Sequence, residues 1–84
     1  MSTSRELYQR RTDDHLVTVI SSWLAQHVSD AELRLELRRA PREVLEPAQA
    51  EALDELRTEL ESSHERPERE MVARETLETL AVGG

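Results

Sequence analysis

The chain has 84 residues, 37% of them apolar and 35% charged, with no Cys, no Lys and a net charge of −7. That bounds it to one domain and excludes a disulfide framework, a thiolate metal site, a cysteine nucleophile and Schiff-base chemistry on a lysine. Residues 1–45 hold seven acids and seven Arg whereas residues 46–84 hold eleven acids and four Arg, so the acidic excess lies wholly in the C-terminal half and disfavours nucleic acid or an anionic membrane as partner.

The first predicted helix runs from about residue 4 to 28. Thr3-Ser4-Arg5-Glu6 fits a capping box at its start, and Leu7 and Tyr8 open its apolar face. Its centre is His15 to Val28, which holds the only Ile and the only Trp. Leu16, Ile20, Trp23 and His27 recur at helical steps, and Val17, Leu24 and Val28 widen the stripe. His27 is expected to pack edge-on against Trp23. The apolar stretch is too short and too interrupted to span a bilayer, and the polar first fourteen residues offer no signal region. A cytoplasmic location is the expectation.

Ser29-Asp30-Ala31-Glu32 is a second capping box, with Val28 and Leu33 at the two positions of a hydrophobic staple. One helix therefore stops and another starts with almost no loop, so helix 2 folds back on helix 1. Leu33 to Arg38 alternates with period two, but Leu, Glu and Arg favour helix and no second strand exists to pair with. Helix 2 is predicted over about 30–40, with a short turn to 45 after Pro41. Leu33, Leu37, Ala40 and Val44 make its inner stripe, which leaves Leu35 on the outside.

Pro47 suits the first position of helix 3, predicted over about 47–62. Leu53, Leu56 and Leu60 form its narrow seam, with Gln49 and Ser63 at the ends. Helix 4 is predicted over about 67–81 after Pro67. Its inner face is read as Ala73, Leu77, Leu80 and Ala81, widened by Met71 and Val72. Thin seams and high charge make helices 3 and 4 the parts expected to move or to dock elsewhere. Gly83-Gly84 reads as a helix cap and a loose end. The fold class is all-α: a single domain over 1–82 of three to four helices organised around helix 1. The supply of bulky apolar side chains is small for its length, so completion as a homo-oligomer, a dimer in the first instance, is expected.

Catalytic constellations fail on spacing. Asp13-Asp14-His15 stands near several Ser in sequence, but neighbours on a helix face different ways and no strand-turn-helix elbow presents a Ser. Both Gly are terminal, so no loop can cradle a phosphate. Glu61-Ser62-Ser63-His64 resembles the Glu-x-x-His ligand pair of di-iron carboxylate bundles; the resemblance covers those four residues. It makes Glu61 and His64 weak metal candidates, and a metal-binding bundle assembled across an oligomer interface the alternative function. The expected function is a non-catalytic interaction module without a cofactor. It would serve as a small accessory, adaptor or regulatory subunit and bind another protein, a basic one being favoured by the charge, through helical faces and its acidic half. The residues expected at that surface are Leu35, Arg38, Arg39, Arg42, Glu51, Asp54, Glu55 and Glu59.

Overall fold

The computed structural model describes the backbone of residues 3–82 and the side chains of residues 9–82. It is an all-α bundle of four helices: α1 (Thr3–Leu24), α2 (Asp30–Arg39), α3 (Pro47–Glu61) and α4 (Arg66–Val82), with a single 3₁₀ turn over Arg42–Val44. The described residues contain no strand, and no helix among them is long and apolar enough to cross a membrane. The capping box at Thr3–Glu6, the side chains of Leu7 and Tyr8, and Gly83-Gly84 lie outside the described residues.

Short connections alternate the helix directions and close a ring in which α1 touches α2 and α4, and α3 touches α2 and α4. Leu16, Ile20, Trp23, Leu33, Leu37, Leu45, Leu53, Leu56, Leu60, Ala73 and Leu80 are buried in one cluster. All four helices therefore close the core within one chain. Contrary to the expectation that α3 and α4 dock elsewhere, they make the most extensive helix–helix contact in the molecule. The physical reason is small side chains at the seam. Ala73 and Thr76, not Leu77 and Ala81, sit at the centre of the α4 face, and the Thr76 hydroxyl donates to the Val72 carbonyl of its own helix at 2.9 Å. A buried hydroxyl satisfied in this way carries no desolvation debt. Leu77 is half-buried at the edge and Ala81 is exposed. Met71, expected to widen the inner face, is 56% exposed.

The first helix ends at Leu24, four residues before the predicted Val28. Gln26 adopts φ 66°, its amide donates to the Trp23 carbonyl at 2.9 Å, and the His27 amide donates to the Ser22 carbonyl at 2.8 Å. This paired pattern is a Schellman termination, which usually uses Gly or Asn at the left-handed position; Gln carries no such signal. Ending the helix there turns His27 outward, where it is exposed rather than packed on Trp23. The face of Trp23 is instead covered by the Arg66 guanidinium, 4.3 Å from the ring centroid. Downstream, the Ser29 hydroxyl accepts from the Glu32 amide at 3.1 Å as the capping box requires. Pro47 occupies the first turn of α3, and the Gln49 side-chain oxygen accepts from the Glu46 amide at 3.0 Å.

Two polar knots pin the ends of the bundle. At one end Trp23 Nε1 donates to Asp30 Oδ1 at 2.7 Å, Arg69 Nη1 donates to Asp30 Oδ2 at 2.8 Å, and Arg66 Nη2 donates to the Trp23 carbonyl at 2.7 Å. Arg69 Nη2 adds a bond to the Ser62 carbonyl at 2.8 Å. The knot thus joins the last turns of α1 and α3 to the first turns of α2 and α4. At the other end the fully buried Gln49 donates to Asp13 Oδ2 at 3.3 Å and to the Leu80 carbonyl at 3.3 Å. Burial pushes the Asp13 carboxyl above the ordinary carboxylate range, with the Gln49 hydrogen bond pulling the other way.

Candidate functional site on the acidic face of α3 and α4

The outer side of α3 follows from its inner seam. With Gln49, Leu53, Leu56 and Leu60 turned inward, a 3.6-residue period places Glu51, Asp54, Glu55 and Thr58 outward, and all four are exposed. Between α3 and α4 lies an open cleft of about 350 Å³ lined by Asp54, Glu55, Thr58, Glu59 and Val72. Its floor is the half-buried Val72 and its walls are carboxylates.

Glu59, one of the lining residues, is held by His64. The His64 Nδ1 lies 2.6 Å from Glu59 Oε1 and 3.7 Å from Glu68 Oε2. A carboxylate only accepts, so Nδ1 carries the proton in this arrangement. The hydrogen bond donated to Glu59, and then the negative charges of Glu59 and Glu68, hold the imidazole above its ordinary 6.5. One donor atom from each of Glu59, His64 and Glu68 lies within 4.8 Å of the other two.

Glu61, the expected partner of His64, is elsewhere, with its Oε1 3.9 Å from Arg38 on α2. The reason is local. The helix ends at Glu61, the Ser62 hydroxyl turns back onto the Glu59 carbonyl at 2.6 Å, and the His64 amide donates to that hydroxyl at 3.2 Å. A residue beyond the last turn no longer obeys the three-residue helical spacing, so His64 folds back over Glu59. Glu68, a residue without a periodicity signal toward His64, stands in the first turn of α4, and the loop before that helix brings His64 to it.

The other expected surface residues divide by what they touch. Leu35 is 46% exposed and lines a groove of about 390 Å³ with Ala31, Arg34, Arg38 and Glu61. Arg42 is directed inward instead. It donates to the Leu37 carbonyl at 2.9 Å and the Ala40 carbonyl at 3.2 Å, capping α2, and it pairs with Asp54 at 2.9 Å. Arg42 and Asp54 thus neutralise each other. Glu59, 15% exposed at its side chain, is engaged with His64. Arg39 is exposed, as are Glu51 and Glu55. His15 meets Glu36 of α2 at 3.1 Å. The chain matches no family model, no curated protein and no solved structure.

Proposed function

We propose that this chain is a non-catalytic protein-interaction module that presents the α3–α4 face to a basic partner segment. The observation that carries this reading is how the charges of residues 46–84 are spent. Of the four Arg, Arg66 is tied to Glu70, Arg69 to Asp30 and Arg74 to Glu70, while Arg57 is half-buried and forms no ion pair among the described residues. Glu51, Glu55, Glu65, Glu75 and Glu78 are exposed, and none forms an ion pair among the described residues. The surviving field on this face is negative, and a cationic partner is steered by it. A role as accessory, adaptor or regulatory subunit is in keeping with such a surface, as is a homodimer closed over Leu35, where Arg38 of one copy would face Glu61 of the other. The test is association with Lys/Arg-rich partner candidates across a salt series. Glu51→Lys with Glu55→Lys should cut the association rate tenfold or more and flatten its salt dependence, at unchanged helicity. Binding indifferent to both salt and charge reversal would refute the reading. Light scattering reports the homodimer separately: a mass of 9.7 kDa at micromolar concentration in the fully helical state removes it.

A second reading is favoured by the Glu59–His64–Glu68 cluster. One imidazole and two carboxylates are a donor set suited to zinc, manganese or iron. Metal there would displace the Nδ1 proton, so affinity should fall as pH drops below the raised pKa of His64. Calorimetric titration with zinc checks this. One equivalent bound by the native chain and lost in both His64→Ala and Glu68→Gln supports it; no saturable binding at neutral pH ends it.

A further inference from the structure

The cleft between α1 and the C-terminal end of α2 lies apart from the acidic face and has the opposite character. It has a volume of about 260 Å³ and is lined by Arg11, Thr12, His15, Leu16, Glu36, Arg39, Ala40 and Pro41. Its floor is apolar, made by Leu16, Ala40 and Pro41, and that composition follows from the chain. Pro41 stops α2, forcing Ala40 into an extended conformation at ψ 126°. The small side chain at residue 40 and the departing backbone then leave the space beside Leu16 unfilled.

The rim is cationic. Arg11 and Arg39 are exposed, and neither guanidinium has an ion-pair partner among the described residues. Glu36, the carboxylate that could have neutralised them, is engaged by His15 Nε2 at 3.1 Å. Elsewhere in the chain three half-buried guanidiniums hold carboxylates: Arg42 holds Asp54, Arg66 holds Glu70 and Arg69 holds Asp30. At this rim two guanidiniums stand against the single carboxylate of Glu36, which leaves an excess of positive charge.

We infer that this cleft binds a small organic carboxylate, its apolar body on Leu16, Ala40 and Pro41 and its carboxylate between Arg11 and Arg39. A planar carboxylate matches the fork of a guanidinium. The volume is below the usual range of drug-sized pockets, which limits the body to about one ring or a short aliphatic chain. Because the rim is solvated, affinity should be modest and should weaken with salt.

The probe is 4-methylbenzoate, with 4-methylbenzamide as its neutral counterpart and inorganic phosphate as an anion without an apolar body. Amide resonances are followed during titration of the intact chain. The expected result is saturable movement of Thr12, His15 and Ala40 with 4-methylbenzoate only. Arg11→Ala with Arg39→Ala should weaken binding about tenfold, the upper range for two exposed ion pairs, while helicity is retained because both side chains are exposed. Equal binding of 4-methylbenzamide would overturn the role of the arginines. Phosphate bound as tightly as 4-methylbenzoate would overturn the role of the apolar floor. No saturation at millimolar probe, or a double variant that binds as well as the native chain, would overturn the site.

Discussion

Trp23→Ala is expected to destabilise the bundle by about 3–5 kcal/mol, the range for a fully buried large aromatic. Trp23 is 0% exposed and is the largest side chain in the core, so its removal leaves a cavity that four fixed helix axes cannot collapse. The variant also orphans the Asp30 carboxylate oxygen that accepts from Nε1 and strips the apolar ring from beneath the Arg66 guanidinium. A domain of 84 residues has a total stability of about 4–12 kcal/mol at typical values per residue. The variant should therefore be partly or wholly unfolded at room temperature. Urea denaturation followed by circular dichroism measures it, since the only tryptophan is gone. Trp23→Phe separates the two contributions: it keeps most of the ring and loses the Nε1 bond. It should fall between the native chain and Trp23→Ala. A loss below about 1 kcal/mol for Trp23→Ala would mean that the indole is not part of a packed core.

Asp30→Ala should destabilise by about 2–3 kcal/mol, the largest effect expected of a single substitution among the polar residues. Asp30 is the first residue of α2, where a negative side chain is favoured by the helix dipole. Its two oxygens are shared between Trp23 Nε1 at 2.7 Å and Arg69 Nη1 at 2.8 Å. Removing the carboxylate leaves the indole N–H without its partner in the core and leaves Arg69, whose Nε is already buried and unpaired, without its counter-charge. Solvent reaches part of this knot, since the Asp30 side chain is 37% exposed, and this keeps the expected value below that of a fully buried ion pair. A double-mutant cycle with Arg69→Ala isolates the pair, with a coupling of about 1 kcal/mol expected. If Asp30→Ala changes stability by less than about 0.5 kcal/mol, the residue behaves as ordinary surface and the knot does not hold the helix ends together.

Much of what depends on one helix and its nearest neighbours was legible in the sequence. The four-step and three-step recurrence of Leu16, Ile20 and Trp23 marks a buried stripe, and all three are buried. Ser29 and Glu32 mark the start of α2, and the bond between them is made. Pro41 and Pro47 mark where helices cannot continue and where one can begin. The seam of Leu53, Leu56 and Leu60, with Gln49 at its end, is buried as its spacing implies, and Leu35 stands outside as its place on the wheel requires. Each of these signals acts over a helical turn or a cap, where a side chain meets a backbone group a few residues away.

What the tertiary structure alone decided involves either a partner far along the chain or an exception to a local preference. Trp23 meets Arg66 across 43 residues, and Asp30 meets Arg69 across 39; no periodicity couples positions so distant. The register of α4 turned on how closely α3 approaches. Ala73 and Thr76 suit that close contact better than the bulkier Leu77, so packing overruled hydrophobicity. Gln26 took the left-handed position that usually falls to Gly, because the turn from α1 into α2 demanded it and the packed helices on either side hold it there. His64 went to Glu59 and Glu68 rather than to Glu61, because the helix had already ended when the chain reached it. Periodicity assigns a face to a residue only while the helix lasts; beyond its last turn the neighbouring helix and the loop geometry choose the partner.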